Sequence, residues 1–351
     1  MNPKILLSLD YELFFGPQTG TVDHCLLRPT EALAKVARRH NVHLSLFVDA
    51  IYLQRLSDEA RRFPQLQRDF DAIRRQLASL KEEGHDIQLH LHPHWIDSHF
   101  NGEQWQLDTT RYKLHDFSAL DIKAIVGSAK KLLTNLTGES IFAFRAGGWC
   151  LQPFATIAPA LLAHDIWLDS TVFAGGVSDD KTRWFDFTSA PVRDSWRFEQ
   201  DPNQEDTKGS FVELPISAMR VTPLLFWRMV LNRIILPHKA HQPFGDGSPM
   251  AWGNQYFLRR LSSSTISVAS IDGLKAALLA RAFQKEHFAS GKQLFHAMGH
   301  PKALTLYSLE QLDRFLISLG SLTSVTFQDF THLQPKIESF STSIQKNKVT
   351  V

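Results

Sequence analysis

Short apolar runs rich in branched side chains alternate along this chain with stretches whose apolar residues recur at spacings of three and four. That alternation is the signature of strand–helix–strand units, and hence of a parallel sheet or barrel. Strands are predicted at Lys4 to Leu9, His43 to Val48, Asp86 to His90, Ile141 to Arg145, Asp165 to Asp169, Phe211 to Pro215, Leu294 to Met298 and Val325 to Phe327. A helix opens at Pro29-Thr30-Glu31 and runs to about Arg39. Another spans about Asp69 to Glu83, where Phe70, Ile73, Leu77 and Leu80 share a face and Gly84 supplies a left-handed stop. Ser118 and Asp121 make a start signal for a helix through Ile122, Ile125, Ala129, Leu132, Leu133 and Leu136, which Gly138 ends. Gln152-Pro153 opens a further helix, and Ser308 with Gln311 opens one through Leu316.

The pattern contains no internal repeat and no low-complexity linker, so one domain over about residues 1–335 is expected, followed by a polar tail at 336–351. Two segments interrupt the alternation. Residues 198–210 are polar and read as a mobile loop, and residues 222–262 join an apolar, basic stretch to a turn-rich loop with Pro243, Gly245, Gly247 and Pro249. The apolar part, 224–236, could touch a membrane or a partner; a helix packed on the barrel is the preferred reading.

Charge adds little to this picture, because 38 basic against 36 acidic residues leave a net +2 and no global field that would attract nucleic acid. The opening apolar run is cut short by Asp10, which argues against a leader peptide, and no window is long enough for a transmembrane segment, so a cytoplasmic protein is expected. Cys25 and Cys150 form no metal-binding spacing and are expected to remain buried thiols.

Candidate chemistry is concentrated in two places. In Ser8-Leu9-Asp10-Tyr11-Glu12 two carboxylates stand two residues apart at a strand end, and alternation puts both on one face. Like charges that close need a cation or a proton between them, which suits a metal ligand beside a general base. In Gly84-His85-Asp86-Ile87-Gln88-Leu89-His90-Leu91-His92-Pro93-His94-Trp95, His90 and His94 are four apart, and a strand followed by a tight turn is expected because Pro93 forbids a continuous helix. A carboxylate with two imidazoles leaves coordination positions open, the pattern of a catalytic zinc ion, with manganese, iron or cobalt compatible.

These strings resemble the polysaccharide deacetylases, carbohydrate esterase family 4, with its NodB-like homology domain. Gly84 to Trp95 is similar to the family's His-x-x-x-His motif and Ser8 to Glu12 to its Thr-Phe-Asp-Asp motif. Leu44 to Val48, Phe144 to Trp149, Trp167 to Thr171 and His296 to Pro301 resemble further motifs in the family's order. The resemblance implies a distorted (β/α)7-type barrel and hydrolysis of the N-acyl group of an amino sugar, acetyl or formyl, in a surface-polysaccharide component or a nucleotide- or lipid-linked precursor. It implies Asp10 as general base, His90 and His94 as metal ligands, Arg145 as the residue orienting the base, and His300 as the acid that protonates the leaving amine. Asp169, or Asp165, is expected to hold the acid in register, and His296 is a rival acid.

Tyr11 stands where the family places its metal-binding aspartate, so Glu12 is the expected third ligand, with Asp10 the alternative. Gly147-Gly148 replaces the family's Pro-Tyr region, which alters how an oxyanion-stabilising amide is presented. Trp149, Trp184 and Trp196 could stack on sugar rings, although core packing is the expectation for each. Three rivals remain: an allantoinase-like amide hydrolase on the same barrel, a degenerate glycan-binding barrel, and a glycoside hydrolase using Asp10 with a second carboxylate.

Overall fold

The computed structural model describes residues 2–234, 238–250, 258 and 260–336. Of the segments singled out above, positions 235–237, 251–257 and 259 and the tail after Lys336 lie outside the described residues.

A sheet organises the chain. Its first strand, β1 (Lys4–Tyr11), is buried at every position after Lys4, as expected of a strand covered on both faces in a parallel sheet. Next come β2 (Leu44–Asp49), β3 (Asp86–Leu91), β4 (Ala143–Ala146) and β5 (Leu168–Asp169), each parallel to the strand before it. The hairpin β6 (Trp196–Phe198) and β7 (Phe211–Glu213) adds β7 parallel to β5, with β6 antiparallel at the edge. On the other side β1 pairs in parallel with β8 (Leu294–Gly299) and β9 (Thr323–Val325), so the spatial order is β6-β7-β5-β4-β3-β2-β1-β8 with β9 also on β1.

The two ends of this sheet meet through an irregular seam. After β7 the chain continues so that the Ser217 amide donates to the His296 carbonyl at 2.9 Å, and the His296 amide donates to Ser217 Oγ at 3.1 Å. The result is the distorted α/β barrel that the alternation and the resemblance imply.

Several helices follow their predicted signals. In α1 (Arg28–Arg39) Pro29 lies in the first turn, and α4 (Ala119–Thr137) has Ser118 Oγ accepting the Asp121 amide and Gly138 closing it at φ 68°. Others differ for local reasons. Between them, α2 (Ala50–Ala60) follows β2 directly, because the Asp49 side chain caps it by accepting the Tyr52 amide, and α3 (Pro64–Glu82) starts earlier than expected, at its proline. Gln152-Pro153 opens only a short turn before α5 (Ala158–Leu162), which leaves the chain at Ile166 to enter β5. The capping box of the last helix belongs to Thr305 and Ser308, not Ser308 and Gln311, since Thr305 is extended and exchanges side-chain bonds of 2.9 Å with Ser308. The strand expected through Phe327 stops at Val325, where Asp329 captures the Thr326 amide and starts a 3-10 turn.

The polar segment after Phe198 is the connection of the β6–β7 hairpin, folded on Asp201 and Asp206 turns and on the Trp196 indole, which donates to the Pro202 carbonyl. In the other insertion α6 (Pro223–Ile234) covers the basic apolar stretch, and residues 244–250 form a strap. The strap is sewn to the loop after β1: the Gly16 amide donates to the Ser248 carbonyl, and the Thr21 amide and hydroxyl donate to the Asp246 carboxylate at 2.7 and 2.8 Å.

Candidate active site

Asp10, Glu12, His90, Arg145 and His300 all lie at or just beyond the C-terminal ends of parallel strands, the end of such barrels at which sites are built. Strand alternation sorts the opening motif as expected. Tyr11 turns away, its hydroxyl donating to Gln76 Oε1 at 2.9 Å, while Asp10 and Glu12 face the interior. The Glu12 carboxylate, two residues beyond Asp10, therefore reaches the same face as Asp10.

Glu12 Oε2 stands 3.1 Å from His90 Nε2 and 2.6 Å from His92 Nε2, and ligating atoms of these three buried residues lie within 4.8 Å of one another. His94, expected as a ligand, is not among them. Its ring stacks on Tyr112 at 5.5 Å and on Trp95 at 5.4 Å, with Phe15 against its edge and neither ring nitrogen hydrogen-bonded. The reason is backbone conformation. Extended geometry persists through His92, so residues 90 and 92 share one face by the two-residue period, and the turn begun at Pro93 carries His94 into the aromatic cluster. The Asp49 carboxylate accepts the His92 amide at 3.4 Å and supports that extension.

His90 Nδ1 faces the Arg145 carbonyl at 2.9 Å, and since a carbonyl only accepts, that nitrogen carries the proton. Nε2 then turns toward Glu12 Oε2, where a proton or a cation must lie between the two acceptors. Burial opposes protonation of His90, but Asp10 and Glu12 outweigh it and hold its pKa up to about 8. His92 behaves oppositely: burial pushes it down to about 4, so its ring stays neutral. A carboxylate beside two imidazoles, the His90 ring oriented by a carbonyl, is a donor set suited to a borderline divalent ion, which would bind in place of the His90 proton. Burial also opposes ionisation of Glu12, yet Lys302 and His92 hold its carboxyl well below the usual range. Lys302, which no motif announced, sets Nζ 2.9 Å from Glu12 Oε1 and also donates to the Leu13 carbonyl.

Asp10 forms the second unit. Arg145 Nη1 donates to its Oδ1 at 2.6 Å, and the guanidinium is locked by the Ser170 carbonyl at 2.7 Å, Ser8 Oγ at 2.9 Å and the Phe47 ring 4.0 Å below. Burial raises the Asp10 pKa, but Arg145, His90 and His300 together leave it below the ordinary value. His300 is the third unit. Its Nε2 lies 3.7 Å from Asp10 Oδ2, and Nδ1 is held at 2.9 Å by Asp272, whose other oxygen accepts the His300 amide at 2.8 Å. Against the cost of burial, Asp272 and then Asp10 raise the His300 pKa.

Asp169 on β5, expected to hold the acid, instead bonds the amide and hydroxyl of Thr171 and shares a buried contact with Glu213, while the carboxylate that meets His300 is that of Asp272. Asp165 is exposed on a turn. His296 lies deeper, bonded to Ser8 Oγ at 2.8 Å and to the Pro215 carbonyl at 3.1 Å, with burial and Arg145 pushing its pKa well down. A cleft of about 270 Å³ opens above Asp10, Glu12, His92 and His300, walled by Phe15, Tyr112, Trp149 and Phe185 and by Pro249 and Met250 of the strap. Of the three tryptophans considered, only Trp149 lines it; Trp196 is core and Trp184 is exposed.

The turn Gly147-Gly148-Trp149 places the cleft wall against the cluster. A Cβ on Gly147 would come within 2.6 Å of both His92 Cε1 and the Leu91 carbonyl, so only glycine fits. Gly147→Ala should therefore push His92 off Glu12 and weaken binding of a divalent ion by about 10- to 100-fold, the usual cost of disturbing groups that orient ligands. Zinc titration by calorimetry measures this, and unchanged affinity would remove His92 from the ligand set.

The sequence matches no family model and no curated protein. Among solved structures, the chain is similar to a Mycobacterium smegmatis protein described as a polysaccharide deacetylase, with 15% identity, 94% of this chain and 89% of that one covered, and a TM-score of 0.49. It is also similar to a polysaccharide deacetylase from Bacillus cereus, with 11% identity, 92% of each chain covered and a TM-score of 0.37. A third likeness is to the peptidoglycan deacetylase PdaC from Bacillus subtilis, with 9% identity, coverage of 95% and 91% and a TM-score of 0.34. The barrel described here is read from the chain's own strand order, and these likenesses add no chemistry to it.

Proposed function

We propose that this chain is a metal-dependent hydrolase that removes the N-acyl group of an amino sugar. The observation that carries the reading is the convergence, at one end of the barrel and beneath an aromatic cleft, of Glu12, His90 and His92 with the Asp10–Arg145 and His300–Asp272 pairs. Glu12, His90 and His92 would hold a divalent ion, zinc by the donor set or else manganese, iron or cobalt, and such an ion supplies Lewis acidity toward water and the acyl oxygen.

The chain's own residues supply proton transfer and orientation. Asp10, kept ionised and aimed by the Arg145 fork, accepts a proton from the attacking water at Oδ2. His300, aligned by Asp272, delivers a proton from Nε2 to the departing nitrogen. Phe15, Tyr112 and Trp149 give a hexose ring apolar faces to lie on and exclude water from the reacting bond. The test is release of acetate from N-acetylhexosamine oligosaccharides by purified protein supplied with each metal in turn. Turnover abolished by chelator and restored by metal is expected. Activity that survives chelation would end the proposal, and ring opening of a cyclic amide with no acetate released from acetylated sugars would favour the allantoinase-like rival.

One observation favours a second reading. Lys302 Nζ already places a positive charge on Glu12, so a barrel that binds glycan without a metal is self-consistent. The two readings separate through Lys302→Met. If Lys302 merely competes with the ion, the variant binds zinc at least about tenfold more tightly, a difference that needs about 1.4 kcal/mol. If it has replaced the ion, neither the parent nor the variant binds metal stoichiometrically.

A further inference from the structure

The insertion between β7 and β8 carries a surface that the hydrolase reading does not use. Helix α6 presses Phe226 inward, with the Arg260 guanidinium 4.9 Å from its ring, and Leu225 is half-buried beside it. Its opposite side is also apolar. Leu224 is 77% exposed, Trp227 50% and Leu231 46%, at spacings of three and four that put them in one stripe. Exposed apolar stripes on a helix that already has a buried face call for a partner.

Charge identifies the partner. Between Glu213 and Asp272 the sequence contains one acidic residue, Asp246, against Arg220, Arg228, Arg233, Lys239, Arg259 and Arg260, in a chain whose charges otherwise nearly cancel. Asp246 is occupied by Thr21 within the strap. Both Arg228, next to Trp227 on α6, and Arg220, three residues before the helix begins, are exposed. A second copy of the same face would set these arginines against each other, which a two-fold interface penalises. Leucine and tryptophan flanked by arginine, on a helix too short to cross a bilayer, are what an interfacial helix presents to anionic headgroups. We infer that the outward face of α6 docks on an anionic lipid surface, lying in its plane with Leu224, Trp227 and Leu231 inserted and Arg220 and Arg228 against lipid phosphates. The strap that follows α6 contributes Pro249 and Met250 to the cleft, so docking would bring the cleft mouth close to the bilayer.

The experiment is co-sedimentation of the full chain with vesicles of phosphatidylcholine alone and of phosphatidylcholine mixed with phosphatidylglycerol, at two salt concentrations. Binding to the mixed vesicles, weaker in high salt and absent from the neutral ones, is expected. Trp227→Glu should lower the partition coefficient by about 10- to 100-fold, the effect of withdrawing one large apolar side chain, and Arg228→Gln by about fivefold. Circular dichroism and Tm establish that each variant is folded; should Trp227→Glu misfold, Leu224→Ser at the most exposed position replaces it. The inference is overturned by equal binding to neutral and anionic vesicles, by no sedimentation with either, or by folded variants that bind as the parent does. A concentration-dependent dimer dispersed by Trp227→Glu, seen by light scattering, would also overturn it and assign the face to a second copy.

Discussion

Arg145→Met is expected to lower the unfolding free energy by about 3–5 kcal/mol, the cost of removing one partner from a buried ion pair. The guanidinium is wholly buried and satisfies Asp10, Ser8 and Ser170 at once, so methionine fills part of its volume while leaving a carboxylate and a carbonyl unanswered. Burial is already the largest influence on Asp10 and pushes its pKa upward; without the arginine, the largest influence that opposes it is gone and only His90 and His300 remain. The sign follows by linkage. In the parent the Asp10 pKa lies below the unfolded value, so its contribution is present at neutral pH and is lost as pH falls through the folded pKa. In the variant the folded pKa is higher than in the parent, so its folded state holds on to the proton to higher pH and the stability gap between the two proteins grows as pH rises. Urea denaturation should therefore show a gap between the two proteins that is widest near neutrality and narrows toward pH 4. Adding Asp10→Asn should recover part of the loss. A gap under about 1 kcal/mol at neutral pH, unresponsive to acid, would mean that water reaches the pair and that Arg145 does not fix the ionisation of Asp10.

His300→Ala is expected to lower kcat by about 100- to 10,000-fold, the range for a general acid, with little change in metal affinity because the imidazole is not in the Glu12, His90 and His92 cluster. Asp272→Asn separates this role from simple packing. Asp272 is the largest favourable influence on the His300 pKa, so its neutral replacement lets that pKa fall. A group that must be protonated to act loses activity as pH rises through its pKa, and the alkaline limb of the kcat profile should therefore move to lower pH in Asp272→Asn. A limb that stays in place, or moves upward, would assign the leaving-group proton to another residue. His296 is a poor substitute, since its ring nitrogens are spent on Ser8 and Pro215 beneath Asp10.

Much of this arrangement was legible in the sequence because buried parallel strands write themselves as largely apolar runs, as β1, β2 and β8 do, while β3 shows the two-residue alternation of a strand. The carboxylate pair could be placed on one face from the strand period alone. The histidine string could not be resolved in the same way. Choosing between His92 and His94 depends on how the chain runs past β3: it stays extended for one residue, His92, whose amide the Asp49 carboxylate accepts, and that partner is remote in sequence. Asp49 is also why α2 went unread: Ala50-Ile51-Tyr52-Leu53 continues the apolar run of β2, and only the side-chain cap breaks the strand. Asp272 and Lys302 were hidden for a different reason. Each contacts the site from a short turn with no periodicity, and each matters through a partner far away in sequence, Asp272 to His300 and Lys302 to Glu12. Asp169 was the converse case, a carboxylate in the expected string whose side chain Thr171 captures locally.

The chain order of the barrel has a consequence for its birth on the ribosome. Every member of the Glu12, His90 and His92 cluster has been synthesised by residue 92, whereas His300 arrives with β8, which occupies the flank of β1 opposite β2. At about 5–20 residues per second, roughly 10–40 s separate the two events. Throughout that interval β1, apolar along nearly its whole length, has one ladder of amides and carbonyls without its final neighbour, the condition in which nascent sheets are most prone to join one another. A nascent chain able to grip a cation early would gain cross-links between β1 and β3 during its most vulnerable period, well before it could hydrolyse anything.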